Sequence, residues 1–172
     1  MKASAWPPFA LASLERSLDA LVEAVKDPSE RNDDEQMWLT RFLVVRACGY
    51  LEQVVHETSI GFLHEHAGGT SLSFSLSWMA RSRNPSPENL TALLGRFDQT
   101  WKDEFEEFIN ADDGHIKAEL HLLVGRRNQI AHGLNEGLNS RRAIDLVKIS
   151  KEVADWFIRR LNPTVGGRSW RQ

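Results

Sequence analysis

Apolar residues recur at three- and four-residue steps along nearly the whole chain, a spacing that commits it to packed amphipathic helices. Leu11, Leu14, Leu18, Leu21, Val22 and Val25, with Glu15, Arg16, Asp19 and Glu23 between them, predict a helix over 9–27 that the Asp27-Pro28 step ends. Acids at Asp33, Asp34 and Glu35 suit the start of a second helix. Met37, Trp38, Phe42, Val45, Leu51, Val54 and Val55 carry it toward His66, before Gly68-Gly69, and Gly49 inside it marks either a tight helix contact or a kink. Residues 70–83 alternate Leu72, Phe74, Leu76 and Trp78 with serines like a strand, but no second strand is available to pair with it, so a helix is expected. After the Asn84-Pro85 break, Ser86 as N-cap and Pro87 at the first position open a helix with Leu90, Leu93, Leu94 and Phe97 on one side. Trp101, Phe105, Phe108 and Ile109 form a stripe on a short acidic helix that Asp112-Asp113-Gly114 turns. The next helix runs from about His115 to His132, with Gly133 placed to stop it. Asn139-Ser140 caps a last helix with Ala143, Val147, Ala154, Phe157, Ile158 and Leu161 inside. The expectation is an all-α bundle of six or seven helices, one domain over 1–165, followed by a basic tail over 166–172. That tail holds Arg168, Trp170 and Arg171 and is expected to be a flexible end rather than a nucleic-acid contact.

With 172 residues, 41% of them apolar and 26% charged, the chain can bury a core without staples, which argues against disordered and fibrous classes. Cys48 stands alone, so neither an intrachain disulfide nor a cysteine-based zinc site is expected. Apolar runs such as Phe42–Val45 fall far short of the roughly 20 residues of a membrane helix. With no leader-like N-terminus, a cytoplasmic location and no membrane partner are expected. The net charge of −3 conceals a division: residues 1–125 hold 11 Lys and Arg against 20 Asp and Glu, whereas 126–172 hold 10 against 4. A basic face is therefore compatible with an acidic whole.

Most chemistry-bearing residue types read as ordinary structure. His64-Glu65-His66 lacks the four-residue histidine spacing of a helical zinc site, and His56-Glu57 is followed by Ile60 where the second histidine would stand; these are expected as solvated helix-end residues. Cys48, among apolar neighbours, is expected as a core filler. Gly166-Gly167 opens no helix and so makes no phosphate loop. Glu104, Glu106, Glu107, Asp112 and Asp113 read as a solvated face. No metal site and no cofactor are expected.

What remains is Gly125-Arg126-Arg127-Asn128-Gln129-Ile130-Ala131-His132-Gly133. On a helix Asn128 and His132 share a face, while Arg127 lies about 140° round and about 7.5 Å along the axis from His132 but has a long reach. The three can meet in one cleft. Guanidinium offers paired N–H donors to a phosphate, and imidazole exchanges a proton near neutral pH, its reference pKa being about 6.5. A cation and a base are the minimum for RNA cleavage by the ribose 2′-hydroxyl. Spacing alone is a weak signal in a chain with 21 Lys and Arg and 6 His, and by itself it fits better a cationic helix end that offsets the macrodipole.

The run Arg127-Asn128-Gln129-Ile130-Ala131-His132-Gly133, ending a helix late in an all-helical chain, resembles the signature of HEPN domains: Arg, a polar residue, then His after four to six positions. Helix order agrees: a long second helix with Leu43-Val44-Val45-Arg46-Ala47-Cys48-Gly49-Tyr50-Leu51-Glu52, the Asn84-Pro85 break before a Leu-Leu helix, the motif, and a final long helix. The chain looks like the short stand-alone prokaryotic HEPN proteins of toxin-antitoxin and antiphage systems. The resemblance implies a metal-independent endoribonuclease, acting as a homodimer with a composite active site and leaving 2′,3′-cyclic phosphate and 5′-hydroxyl ends. It would assign Arg127 to the scissile phosphate, His132 to proton transfer and Asn128 to orienting the pair. Arg126 and Arg46 are further candidates for RNA contact: Arg126 as an extra phosphate ligand, Arg46 as a charge in an apolar stretch that otherwise needs an acid such as Glu52. The competing readings are a non-catalytic module that dimerises or binds nucleotide, RNA or a partner, and a plain adaptor. In the adaptor, the acidic 103–113 segment, with six acids and no base, would receive a basic antitoxin.

Overall fold

The computed structural model describes residues 6–29, 31–79, 84–134 and 137–163, and among them every regular element is a helix. The helices are α1 (Phe9–Lys26), α2 (Asp33–His66), α3 (Gly69–Met79), α4 (Pro87–Phe97), α5 (Gln99–Ala131) and α6 (Ser140–Arg160). The tail over 166–172 lies outside the described residues.

Start signals in the sequence become caps. Asn32 accepts from the Glu35 amide at 2.9 Å while the Glu35 carboxylate accepts from the Asn32 amide at 3.1 Å, a reciprocal pair that satisfies two donors of α2's open end. Ser86 caps α4 with Pro87 behind it, Asp98 caps α5, and Asn139 caps α6 through the Arg142 amide at 2.8 Å. Residues 69–79, whose alternation imitates a strand, form α3; each serine at 73, 75 and 77 returns its hydroxyl to a carbonyl three or four residues back. α3 packs chiefly on α2, touches α4 through Trp78 and Arg96, and buries none of its residues.

α2 is the axis of the bundle. Leu43, Val44, Ala47, Cys48, Leu51 and Val54 leave it toward the core, where α6 supplies Ala143, Leu146, Val153, Ala154 and Phe157. α1 covers this pair, tied to α6 by Lys151, whose ammonium sits 2.5 Å from Asp19 and 3.2 Å from Glu15. α2 runs unbroken through Gly49, and a methyl group there would meet nothing within 4 Å. Gly49 is thus neither a tight contact nor a kink. The close approach is instead at Gly61, where a Cβ would come within 2.9 Å of the Trp6 ring.

α5 folds as two helical halves. Asp112, Asp113 and Gly114 take φ of 49°, 57° and 74°, the left-handed region that Asp and Gly tolerate best, and they redirect the chain where the turn was expected. The first half packs Phe105 and Phe108 on Trp156 and Phe157 of α6. The second half is anchored by buried Glu119, which accepts from Arg142 at 2.6 Å, and it delivers the Arg-Asn-His run to its own C-terminus beside α2.

Candidate functional site

Glycine at 133 fixes the end of the motif helix. At φ 71° its amide reaches the Ile130 carbonyl at 3.1 Å, and the Leu134 amide reaches Gln129 at 2.9 Å. This left-handed closure satisfies carbonyls that the helix leaves open, and it makes His132 the cap residue, with φ −93° and ψ 10°. The His132 side chain is exposed and, among the described residues, makes no hydrogen bond or ion pair.

Arg127 and Asn128, one turn earlier, are half-buried and joined: the guanidinium donates to Asn128 Oδ1 at 3.1 Å. The other side of the guanidinium faces α2, with Nη2 3.9 Å from Glu52 Oε1. Arg127 therefore has its orientation set from two sides while 39% of its side chain stays open to solvent. Among the described residues no hydrogen bond joins Arg127 to His132. Arg126 donates to Gln129 Oε1 at 3.3 Å, beside a shallow cavity of about 350 Å³ shared with His121 and Gly137. Arg46 is half-buried on α2 and, among the described residues, forms no ion pair; the carboxylate expected to pair with it belongs to Arg127 instead. Six residues separate Arg46 from Glu52, about 120° apart on the helix, so the two leave α2 on different faces.

Glu52 is the member of this site that motif reading missed. Its side chain is 18% exposed, and burial raises its pKa against the opposing pull of Arg127. The Cys48 thiol lies 3.9 Å from the same carboxylate; burial first, and that neighbour second, push its pKa up to about 12. Cys48 stays a protonated thiol at neutral pH and fills the core as expected. A signal for Glu52 was available: it is the single acid between residues 36 and 56.

Because Glu52's folded pKa lies above its unfolded value, the native state holds the proton more tightly, and ionising Glu52 costs stability as pH rises past the ordinary carboxyl range. Glu52→Gln removes that cost. The variant's melting temperature relative to wild type is expected to be more favourable at pH 7 than at pH 4; an advantage that grows on acidification would overturn this account of the Glu52 carboxyl.

The remaining histidines divide. His64, Glu65 and His66 are exposed at the end of α2, as expected, with the His66 ring stacked on Phe62 at 4.1 Å. His56 and Glu57 are instead half-buried, more than two turns before that end, and His56 lines a cavity between α2, α3 and α4. Among the 103–113 acids, Glu104 pairs with Arg160, Glu106 lies 3.9 Å from Lys102, and Asp103, Glu107, Asp112 and Asp113 are exposed. No group of three or more metal-ligating side chains converges among the described residues, and no helix there is long and apolar enough to cross a membrane.

No curated protein and no solved structure matches the chain. A family model, described as RiboL-PSP-HEPN, matches residues 10–162, which takes in all six helices but for the first residue of α1 and includes the whole Arg-to-His run. The helix order, the left-handed stop after His132 and this match over most of the sequence lead to one conclusion: the chain belongs to the RiboL-PSP-HEPN family of HEPN domains.

Proposed function

We propose that this protein is an endoribonuclease that cleaves RNA by attack of a ribose 2′-hydroxyl on the neighbouring phosphorus. The observation that carries the reading is the pairing of an oriented, part-exposed guanidinium at Arg127 with an unengaged imidazole at His132, five residues on at the same helix end. Arg127 binds the phosphate and offsets the charge that grows on its oxygens as the P–O bond forms. Asn128 holds the guanidinium in place. His132 moves a proton, either from the 2′-hydroxyl or to the departing 5′-oxygen. The HEPN resemblance implies two copies facing each other across a shared cleft, where each would bring one such imidazole to a reaction that both removes and returns a proton. The products carry 2′,3′-cyclic phosphate and 5′-hydroxyl ends.

Arg126, at the same helix end, is a further phosphate contact, and Arg46 a more remote RNA contact from α2. None of these steps calls on a metal or an organic cofactor. Within a cell the protein serves as a cytoplasmic toxin or antiphage effector restrained by an antitoxin or other regulatory partner. A second reading, a non-catalytic module for nucleotide, RNA or a partner, is favoured by one observation: the Glu52 carboxylate beside Arg127 competes with a phosphate for it.

The test is incubation of wild-type protein with a labelled mixed-sequence RNA in excess EDTA, followed by end-group analysis. Cleavage with cyclic-phosphate ends is expected. Intact RNA, or products with 3′-hydroxyl ends, would overturn the proposed reaction.

A further inference from the structure

Between α2, α3 and α4 lies a cavity of about 420 Å³, within the range of small-ligand sites. Phe97 of α4 lines it together with Phe74 and Trp78 of α3, a helix that buries none of its own residues and leaves these two rings 66% and 51% exposed. The Arg96 guanidinium lies over the Trp78 ring, 4.4 Å from its centroid, fixing that ring from α4. The lining also includes Glu52, the residue whose carboxylate is 3.9 Å from Arg127. The cavity and the Arg127 site therefore share a side chain.

We propose that this cavity is a subsite for one unstacked nucleobase of single-stranded RNA, the base next to the phosphate held at Arg127. The inference rests on the RNA-cleaving reading of that site and adds what lies beside it. Single-stranded RNA is recognised by splaying a base onto an aromatic side chain, with polar groups reading its edge. Phe74 and Trp78 supply the stacking surface. The lining holds both acceptors and donors for its edge: Asn89 gives its amide hydrogens to Asn84 O at 3.0 Å and Asn84 Oδ1 at 2.7 Å, which fixes its nitrogen and leaves its own oxygen as acceptor, Glu52 accepts when ionised, and His56 and Arg96 can donate.

The experiment measures binding rather than turnover, using 2′-O-methyl hexaadenylate, which cannot be cut by 2′-hydroxyl attack, and an all-abasic hexamer of equal charge. Wild-type protein is expected to bind the first roughly tenfold or more tightly than the second. Trp78→Ala should remove that difference without weakening abasic binding, and Trp78→Phe should restore most of it. The half-exposed position of Trp78, on a helix with no buried residue, keeps the fold out of the comparison. Equal binding of both hexamers by wild type, binding of neither, or an equal loss on both in Trp78→Ala would overturn the subsite and leave the cavity to a protein partner. Cleavage is read separately. Base-dependent binding by a protein that cuts no RNA would fail the ribonuclease reading alone, whereas cleavage with base-independent binding would fail the subsite alone.

Discussion

Alanine in place of His132 is expected to slow RNA cleavage by about 10²- to 10⁴-fold, the usual contribution of a positioned proton carrier. Helical content and melting temperature should not move, because the imidazole is exposed and the helix closes through backbone bonds at Gly133 and Leu134 that alanine retains. Arg127→Ala is expected to cost about 10²- to 10³-fold by removing charge stabilisation at the phosphate. Arg127→Lys should recover little, since an ammonium offers a point charge where the guanidinium offers two parallel donors. Arg127 also touches Asn128 and Glu52, so its variants require the melting control that His132→Ala passes more easily. Cleavage measured in EDTA, with unfolding followed by circular dichroism, separates the cases. Rates near wild type in both alanine variants would remove these residues from the mechanism and shift the assignment to the binding module.

The parts of this molecule that the sequence made legible are those with local causes. Asn139, Ser86 and the Asp112-Asp113-Gly114 turn act through their own backbone neighbours, so a cap or a left-handed turn could be placed without knowing what packs nearby. Gly133 belongs to the same class, and with it the end of the motif helix. The alternation over 70–79 is ambiguous because it faces no core: α3 buries none of its residues, so neither helical nor strand period is imposed on it. The candidate site was half legible. Arg127, Asn128 and His132 lie within six consecutive residues, whereas Glu52 and the aromatic cavity come from α2 and α3 and join them only through packing. The neighbours of Glu52 were hidden for a related reason: along α2 it could be matched with Arg46, while across the bundle it faces Arg127 of α5.

The same contrast sets the largest stability effect expected. Phe105 is fully buried in the first half of α5, with ring centroids 4.9 Å from Trp156, 5.5 Å from Phe157 and 6.1 Å from Phe108. Phe105→Ala loses both the transfer of the ring from water and these ring contacts, two of them edge-to-face, and leaves a void that three aromatic neighbours on two helices cannot readily close. A loss of about 3–5 kcal/mol is expected. Against a total of about 5–15 kcal/mol that is a large fraction, equivalent to a fall in melting temperature of roughly 6–20 °C for a chain of this size. Phe105 stands on the far side of the 112–114 break from Arg127 and His132, and the second half of α5 has its own anchor in the Glu119–Arg142 bond. Well below the new melting temperature, the variant should therefore still cut RNA at close to the wild-type rate. Thermal unfolding paired with a low-temperature cleavage assay checks both parts. A fall of less than about 3 °C would mean that the aromatic cluster does not hold α5 to α6. A normal stability loss with cleavage abolished at low temperature would mean that the two halves of α5 act as one unit, and that the left-handed turn transmits packing to the motif rather than insulating it.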